Sequence, residues 1–260
     1  MPTFHKYHGA GNDFILFDDR SNTMLETLTQ ETIAGWCSRR LGIGADGLML
    51  LRSHPDYDFE MIYYNADGAP SSMCGNGGRC IVRFAYDLGM QQTSFHFLAV
   101  DGPHRARLEA NGIVALEMND VAAVHCPKPE AFVLDTGSPH YIAFVADAGA
   151  VDVVEQGRAI RQSPPYATEG INVNFVSGGL QGLTIATYER RVEDETLACG
   201  TGVTAAAIAA VQRVKPTQGT FSVPVAAKGG QLRVDGYYDG TVFKDLWLVG
   251  PTALVYRGIV

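Results

Sequence analysis

Glycine-rich blocks of this 260-residue chain occur twice, in the same order and about 125 residues apart. One pair is Met73-Cys74-Gly75-Asn76-Gly77 and Ala198-Cys199-Gly200-Thr201-Gly202, and Gly102 with Gly229 extends the series. The other two pairs are Gly11-Asn12-Asp13-Phe14-Ile15 with Gly137-Ser138-Pro139-His140-Tyr141, and Gly44-Ala45-Asp46-Gly47-Leu48 with Gly170-Ile171-Asn172-Val173-Asn174. A nearly constant spacing over successive blocks indicates an internal duplication, so we expect two similar halves.

Each half predicts the same elements, which are short strands between glycine turns followed by one helix. The helix comes after a Cys-Gly-x-Gly sequence and is predicted over residues 78–88 in the first half and 202–212 in the second. The second helix is apolar on almost every face, so it should be buried all round. The predicted strands are 14–17, 48–51 and 59–64 in the first half, and 141–145, 172–176 and 183–188 in the second.

These patterns predict an α+β fold of two pseudo-symmetric halves, each a curled, mostly antiparallel β-sheet or barrel around a central helix. The active site is expected in the cleft between them. We place the N-terminal half at residues 1–118 and the C-terminal half at 119–250, since Pro127-Lys128-Pro129 should break any regular element near the junction. Residues 251–260 hold a last strand, 253–259, that is predicted to return to the first half.

Composition and charge narrow the class of protein. A formal net charge of −8 argues against nucleic-acid binding, which needs a basic face to neutralise phosphates. No apolar run approaches the roughly 18 residues of a membrane span, and the first six residues do not resemble a signal peptide. We therefore expect a cytoplasmic protein that acts on a small molecule, without a nucleic-acid or membrane partner.

Five cysteines, with no Cys-x-x-Cys pair, argue against a disulfide framework and a zinc site, so neither a metal nor a cofactor is predicted. Cys37, Cys80 and Cys126 are interpreted as small buried apolar residues. Cys74 and Cys199 differ because each precedes a predicted helix. The N–H groups and the dipole of a helix N-terminus lower a thiol pKa from its usual value of about 8.5, and they also bind carboxylates.

If the duplicated halves face each other, two sulfurs flank one small anion held by two helix N-termini. This arrangement suits inversion at the Cα of an amino acid. One thiolate removes the Cα proton from one face and the opposite thiol delivers a proton to the other, while the helix N-termini stabilise the negative charge that develops beside the carboxylate. Cys74 and Cys199 are therefore the predicted catalytic residues.

Motifs spread over both halves carry a more specific signal. They are His8-Gly9-Ala10-Gly11-Asn12-Asp13-Phe14, Tyr64-Asn65-Ala66-Asp67-Gly68, Cys74-Gly75-Asn76-Gly77-Gly78-Arg79-Cys80, Gly137-Ser138-Pro139-His140, Gly170-Ile171-Asn172-Val173-Asn174, and Tyr188-Glu189-Arg190 with Glu195-Thr196-Leu197-Ala198-Cys199-Gly200-Thr201-Gly202. Together they resemble the diaminopimelate epimerase family. The resemblance implies conversion of LL- to meso-diaminopimelate without pyridoxal phosphate, in bacterial lysine and cell-wall precursor synthesis. It also implies two domains that close over the substrate, and commonly a homodimer.

The resemblance assigns further residues to the site. Backbone N–H groups at Gly75-Asn76 and Gly200-Thr201 should hold the reacting carboxylate, while His140 and Glu189 should support the catalytic geometry. The remote end of the substrate is a second amino acid, which needs a carboxylate clamp and an ammonium acceptor. The residues implied there are Arg190, Asn65 and Asn172 for the carboxylate and Glu189 for the ammonium group. Asn12 is implied as a further polar contact to the substrate.

The chain departs from the family pattern at two positions. Ser138 stands where many members have asparagine, so an expected amide contact should be shorter, bridged by water or absent. Gly47 stands where some members have glutamine after the aspartate of the glycine-rich stretch. Neither position carries the proposed proton transfer, so both departures bear on substrate contacts only.

Rival functions stay open from the sequence. A proline or hydroxyproline racemase would also use two cysteines, but its substrate has no second zwitterionic end for Arg190, Asn65 and Asn172 to bind. A phenazine-biosynthesis-type isomerase typically lacks the cysteine pair. A pyridoxal-phosphate racemase would need a lysine in a cofactor motif, which none of the five lysines provides. A non-catalytic amino-acid-binding protein would leave the paired thiols without a purpose.

Overall fold

The computed structural model describes residues 1–71, 73–215 and 217–260, and these form two compact units. Unit 1 comprises Met1–Leu116 together with Pro251–Val260, and unit 2 comprises Glu117–Gly250. Both units are built mainly from strands with a few helices, which confirms the predicted α+β class.

Unit 1 wraps a curled sheet around one buried helix. Its helices are α1 (Gln30–Cys37) and α2 (Gly75–Asp87). Numbered along the chain, its strands are β1 (Thr3–Gly9), β2 (Asn12–Asp19), β3 (Gly47–Arg52), β4 (Phe59–Asn65), β5 (Ser94–Ala99), β6 (Gly102–Leu108), β7 (Ile113–Met118, whose last two residues belong to unit 2) and the C-terminal β17 (Ala253–Ile259).

The strands of unit 1 pair in the order β17-β1-β2-β3-β4-β5-β6-β7. The β2–β3 and β4–β5 pairings are parallel, and the others in this series are antiparallel. A parallel pairing needs a crossover connection, and α1 and α2 supply the two crossovers. Helix α2 packs against β1, β2, β3 and β6, so it forms the centre of the unit.

Unit 2 repeats this plan. Its helices are α3 (Val153–Arg161) and α4 (Gly200–Arg213). Its strands are β8 (Val124–Lys128), β9 (Ala131–Asp135), β10 (Pro139–Phe144), β11 (Asn172–Gly179), β12 (Gly182–Glu189), β13 (Asp194–Thr196), β14 (Gly219–Ala227), β15 (Gly230–Tyr238) and β16 (Phe243–Pro251, whose last residue belongs to unit 1).

The strands of unit 2 pair in the order β8-β9-β10-β11-β12-β14-β15-β16, and the short β13 adds to β12. The parallel pairings, β10–β11 and β12–β14, fall at the same places in the series as those of unit 1. Helix α4 is buried along almost its whole length, as its apolar sequence predicts. The duplication inferred from spacing is therefore a duplication of topology.

Two local expectations differ from the structure. Both central helices begin immediately after their cysteine, at Gly75 and Gly200, rather than at the later positions that the apolar pattern indicated. The Pro127-Lys128-Pro129 segment does not break all regular structure, because Pro127 lies within β8. The β8–β9 register shifts between His125 and Lys128, and such an irregular strand tolerates the missing proline N–H.

None of the helices within the described ranges has the length and apolar character that crossing a bilayer requires.

Candidate active site

Cys74 is the N-cap residue of α2, and its side chain is half-buried. Its backbone is extended, with φ −117° and ψ 136°, and its carbonyl accepts the helix N–H of Gly78 at 2.8 Å. Because intrahelical bonding begins with Gly78, the preceding N–H groups point out of the end of the helix beside the sulfur. Glycines at 75 and 77 keep this end free of bulky side chains, which lets an anion approach the backbone.

A chain of side-chain amides runs past Cys74. Asn76 donates through Nδ2 to Oδ1 of Asn12 at 3.4 Å, and the Cys74 thiol lies 3.6 Å from the same oxygen. Asn12 in turn donates through its own Nδ2 to Oδ2 of Asp46 at 2.5 Å. The structure therefore brings together Cys74, Asn76 and Asn12, three of the residues predicted for the site.

Asp46 belongs to an ion-pair network that anchors this end of the sheet. Arg39 bridges Asp46 and Asp13 at 2.6 and 2.7 Å, and buried Lys6 pairs with Asp13 at 2.7 Å. Burial by itself raises the pKa of Asp13, but hydrogen bonds and charges from Arg39 and Lys6 outweigh it and lower the pKa to about 2. Asp13 is therefore ionised at any physiological pH and holds the strand that carries Asn12.

Cys199 is the N-cap residue of α4 and is also half-buried. Its Sγ lies 3.4 Å from Oγ1 of Thr201, which lies 2.9 Å from Nε2 of His140. Position 202 has no room for a side chain, because a Cβ there would lie 2.5 Å from Oδ1 of Asn174. The second glycine of this Cys-Gly-x-Gly sequence is thus required by close packing.

The tautomer of His140 follows from its neighbours. Thr187 donates to Oδ1 of Asn174 at 2.9 Å, so the amide group of Asn174 directs Nδ2 to the carbonyl of Tyr141 and to Nδ1 of His140 at 3.1 Å. Nδ1 is therefore an acceptor, and Nε2 carries the proton that is donated to Thr201. Burial, with a smaller contribution from the charge of Arg190, lowers the pKa of His140 to about 3. At neutral pH the imidazole is uncharged and directs the Thr201 hydroxyl.

Arg190, Asn172 and Ser138 form a polar cluster in unit 2. Asn172 donates to Oγ of Ser138 at 2.9 Å and accepts the backbone N–H of Arg190 through Oδ1 at 3.0 Å. The Arg190 guanidinium lies 3.4 Å from Oγ of Ser138 and donates to the carbonyl of Glu169 at 3.4 Å. A planar guanidinium beside an amide and a hydroxyl is suited to binding a carboxylate.

The family model described as "Diaminopimelate epimerase" matches residues 4–124 and 132–245. A protein of that name from Flavobacterium psychrophilum is 43% identical over 254 residues, covering 97% of this chain and 98% of its own length. The chain belongs to the diaminopimelate epimerase family. This confirms the resemblance read from the motifs and makes the protein an isomerase.

Solved structures extend the fold beyond this family. A phenazine biosynthesis protein of the PhzF family from Bacillus anthracis aligns with a TM-score of 0.73 and 14% identity, covering 100% of this chain and 98% of that one. A probable proline racemase from Agrobacterium radiobacter aligns with a TM-score of 0.67 and 15% identity, covering 100% and 93%. These similarities show a shared fold.

Two further residues implied by the epimerase family lie at the ends of strands. Asn65 is exposed at the end of β4, and no hydrogen bond of its side chain occurs in the described residues. Glu189 ends β12 next to Arg190 and is half-buried. The departure at Gly47 has a steric cause in this epimerase-family member, since a Cβ would lie 2.5 Å from the Tyr63 ring and from the carbonyl oxygen of Tyr64. The departure at Ser138 preserves a polar contact, because its hydroxyl lies between Asn172 and Arg190.

The remaining cysteines are separate from the candidate site chemistry. Burial raises the pKa of the Cys37 thiol to about 11 and raises that of Cys80 as well. Cys126 was expected to be buried, and that expectation is wrong, since it is exposed on β8. Four of the five residues of β8 are exposed and the fifth is half-buried, so this strand has no buried face.

Sequence reasoning left several supporting residues of this epimerase-family site without a role. They are Asp46, Arg79, Asn174 and Thr187. The alternation of Asn172 and Asn174 along one strand, with Val173 between, was an available signal, since residues two apart on a strand share a face. Arg79 offers a second signal, because it is a charged residue within positions 75–82 of α2, which are buried throughout.

Proposed function

We propose that this protein interconverts LL- and meso-diaminopimelate in lysine and cell-wall precursor synthesis by moving the Cα proton between Cys74 and Cys199, without pyridoxal phosphate. The observation that carries the proposal is membership of the epimerase family together with a half-exposed cysteine at the N-cap of the buried helix in each unit. Two such positions supply two acid–base groups of one chemical type, which is what a reversible inversion needs.

The proposed proton transfer divides the work between the units. One cysteine, as thiolate, takes the proton from Cα, and the other, as thiol, gives a proton to the opposite face, so the Cα–H bond breaks as a new one forms. The electron pair that is left at Cα is delocalised into the carboxylate, whose oxygens would accept hydrogen bonds from the backbone N–H groups at Gly75-Asn76 and Gly200-Thr201. The reverse reaction exchanges the two roles.

The neutral His140 has a supporting part in this scheme. Because Nδ1 is occupied by the Asn174 amide, His140 directs the Thr201 hydroxyl instead of taking the proton of Cys199. The hydroxyl beside the sulfur can donate to the thiolate once the thiol has given up its proton. In this proposal the cysteines carry the proton and the histidine fixes a donor.

Substrate selection is proposed to rest on the cluster in unit 2. Arg190, with Asn172 and Ser138, would hold the remote carboxylate of diaminopimelate, and Glu189 would accept its ammonium group. Asn65 would join them as a further donor, and Asn12 would contact the substrate near Cys74. A simple amino acid offers these groups nothing, and each unmatched group costs about 1–3 kcal/mol.

The deciding experiment incubates the protein with LL-diaminopimelate in deuterated water and follows both stereoisomers by chiral analysis. We expect meso product that carries one deuterium at the inverted carbon, with no absorbance band from a bound pyridoxal cofactor. Comparison with proline and hydroxyproline under the same conditions tests the substrate. Equal kcat/KM for proline would keep the two-thiol chemistry and move the substrate to that of a racemase, whereas Cα exchange with none of the three would refute the proposal.

A homodimer in the cytoplasm is proposed on the same family basis, and sedimentation analysis of the purified protein at several concentrations tests the oligomeric part. A mass of one chain, 28.0 kDa, at all concentrations would refute it.

A further inference from the structure

A fully buried arginine lies within the first two turns of α2. Arg79 donates through Nη1 to the carbonyl of Gly75 at 3.1 Å and through Nη2 to Oδ1 of Asn76 at 2.8 Å. In the described residues its Nε has no hydrogen-bond partner and no carboxylate forms an ion pair with it. A buried cation without a paired carboxylate is costly, so its retention needs a reason in the surroundings.

Arg79 is one end of the amide chain beside Cys74. Its guanidinium can only donate, so it fixes Oδ1 of Asn76 towards itself and Nδ2 towards Asn12. At the other end the carboxylate of Asp46 can only accept, so it fixes Nδ2 of Asn12. The directions of both amides are therefore set by a donor-only and an acceptor-only group, with the Cys74 sulfur against the oxygen between them.

The equivalent position of unit 2 holds no charge. By the spacing of the repeat, Thr204 corresponds to Arg79 and Gly200 to Gly75. Thr204 donates through Oγ1 to the carbonyl of Gly200 at 3.1 Å, which is the bond that Arg79 makes to Gly75. A neutral hydroxyl is thus sufficient to support this turn of the helix, and the positive charge in unit 1 is additional to that structural need.

Two sulfurs interact electrostatically with the Arg79 guanidinium, those of Cys80 and Cys74. Cys80 is wholly buried, and burial raises its pKa, so it stays a neutral thiol. Cys74 is half-exposed at the helix end, where the dipole and the first-turn N–H groups also favour an anion. Of these two cysteines, Cys74 is the one whose thiolate the buried guanidinium can stabilise.

The charged and titratable groups of unit 1 around Cys74 have both signs. Asp46 acts through Asn12 and is partly neutralised by Arg39, while Asp101 accepts the backbone N–H of Met73 and pairs with His104. Three sets of groups contribute charge here. Helix α2 supplies Arg79 and Cys80, and the β2–β3 end supplies Asp13 and Asp46 with Lys6 and Arg39. Asp101 and His104 come from the turn between β5 and β6 and the start of β6.

We propose that Arg79 and Asp46 are positioning residues of opposite sign for Cys74: they fix the directions of the Asn76 and Asn12 amides, and their charges set how readily the thiol ionises. This rests on the proposed function only in giving Cys74 a catalytic purpose. Arg79 favours the thiolate, and Asp46 opposes it both by charge and by holding Asn12 so that an acceptor oxygen faces the thiol.

The two effects differ in size. Arg79 has no exposed surface, so its charge is little screened. Because two amides separate it from the sulfur, we expect it to shift the Cys74 pKa by about one unit, the lower end of the range for an opposite charge in close contact. Asp46 is 41% exposed and already paired with Arg39, so its effect should be a few tenths of a unit. The S–H donor is weak, so the loss of its bond to Asn12 adds little.

The experiment measures the pH at which alkylation of Cys74 by iodoacetamide is half-maximal, in the full chain without substrate, with peptide mass spectrometry resolving Cys74 from Cys199. Arg79→Gln should raise the Cys74 midpoint by about one unit or more, and Asp46→Asn should lower it by about 0.3 unit. The Cys199 midpoint should stay unchanged in both. Arg83→Gln, which removes a partly exposed arginine of the same helix, is the matched control and should leave Cys74 unchanged.

Opposite shifts at one cysteine are not expected from a general loosening of the fold, which would act on both variants in the same direction. Unchanged Cys74 midpoints in folded variants, or shifts of the same sign, would overturn the proposal. If Arg79→Gln does not fold, Arg79→Lys, which keeps the charge, should keep the Cys74 midpoint near wild type, and Asp46→Asn must still lower it. Opposite shifts without turnover of diaminopimelate would leave this proposal intact and reject the proposed function.

Discussion

The two cysteine-bearing helix ends share a backbone plan but differ in what surrounds the sulfur. Near Cys74, two charged groups act through a chain of side-chain amides. The buried Arg79 guanidinium lies at one end of this chain and the Asp46 carboxylate at the other. At Cys199 the neighbours form a neutral chain, in which Asn174, His140 and Thr201 follow one another to the sulfur. One helix end is tuned by charge and the other by hydrogen bonds between uncharged groups.

Equivalent positions of the repeat hold side chains of different chemistry in the two units. Phe14 and Leu48 of unit 1, both wholly buried, correspond to His140 and Asn174 of unit 2, so an apolar pair in one unit is a polar pair in the other. Asn12 and Asp46 correspond to Ser138 and Asn172, and both pairs are hydrogen-bonded. The duplication preserved where side chains meet and changed their chemistry.

The largest expected effect comes from removing either thiol. Cys74→Ala and Cys199→Ala should each reduce epimerisation of diaminopimelate by about 10³-fold or more, because a positioned acid–base group contributes up to about 10⁴-fold and each thiol acts in every turnover. The comparison is sharpened by isotope exchange in deuterated water. Each variant should retain Cα exchange from one stereoisomer only, and the two variants should differ in which one.

Cys126→Ala is the matched control for these variants, since Cys126 is exposed on β8 and should leave activity near wild type. More than a tenth of wild-type turnover in either helix-end variant would exclude the two-thiol scheme. Exchange from the same stereoisomer in both variants would show that the thiols do not act on opposite faces.

Next in size is the effect of removing the cation of the unit 2 cluster. Arg190→Ala should lower kcat/KM for diaminopimelate by about 10²-fold, since a hydrogen bond to a charged group contributes about 1.5–3 kcal/mol. Any slow turnover of simple amino acids should be less affected, because they have no remote carboxylate. Arg191→Ala, at the exposed neighbouring residue, should stay within about twofold. Equal losses for all substrates would assign Arg190 a structural role instead.

The contrast between the units also marks what sequence reasoning could reach. The repeat and the strand pattern predicted the elements because alternation and glycine turns are local signals. The helix starts were predicted too late, because Gly75 and Gly200 are poor helix formers and the apolar pattern begins only after them. The hydrogen-bonded chains beside the two cysteines could not be predicted from the sequence. Asp46 meets Asn12, and Asn174 meets His140, only through the parallel pairing of strands far apart in sequence.

A pH titration of stability tests the neutral histidine of unit 2. Burial lowers the pKa of His140 to about 3, well below the usual 6.5, so between these values the unfolded chain binds a proton that the folded chain does not. The free energy of unfolding should therefore fall as pH falls below about 6.5, by up to about 1.4 kcal/mol per pH unit from this residue.

Urea unfolding of wild type and of His140→Gln at pH 7, 6 and 5 measures this slope. The variant should be less stable at pH 7 but should lose stability with acid more slowly than wild type. His125→Gln, at an exposed histidine, should keep the wild-type slope. Parallel slopes in wild type and His140→Gln would mean that His140 takes up a proton in the folded protein as readily as in the unfolded chain, and the acceptor role inferred for Nδ1 toward the Asn174 amide would then be wrong.

The smallest expected effect is that of the hydroxyl at the end of the neutral chain. Thr201→Val keeps the shape of the side chain but removes the oxygen that lies 3.4 Å from Cys199 and 2.9 Å from His140. Because a neutral hydrogen bond contributes about 0.5–1.5 kcal/mol, kcat should fall by about 2- to 10-fold, and Thr201→Ser should restore it. Thr204→Val, one turn further along α4, is the control. It removes the hydrogen bond to Gly200 but leaves the chain from Asn174 through His140 and Thr201 to Cys199 intact, so it should lower stability and leave kcat near wild type. Steady-state kinetics of the three variants separates these outcomes. Equal kcat for Thr201→Val and Thr204→Val would mean that the hydroxyl beside Cys199 supports the helix rather than the thiolate. The contrast between a charged and a neutral helix end would then have no bearing on catalysis.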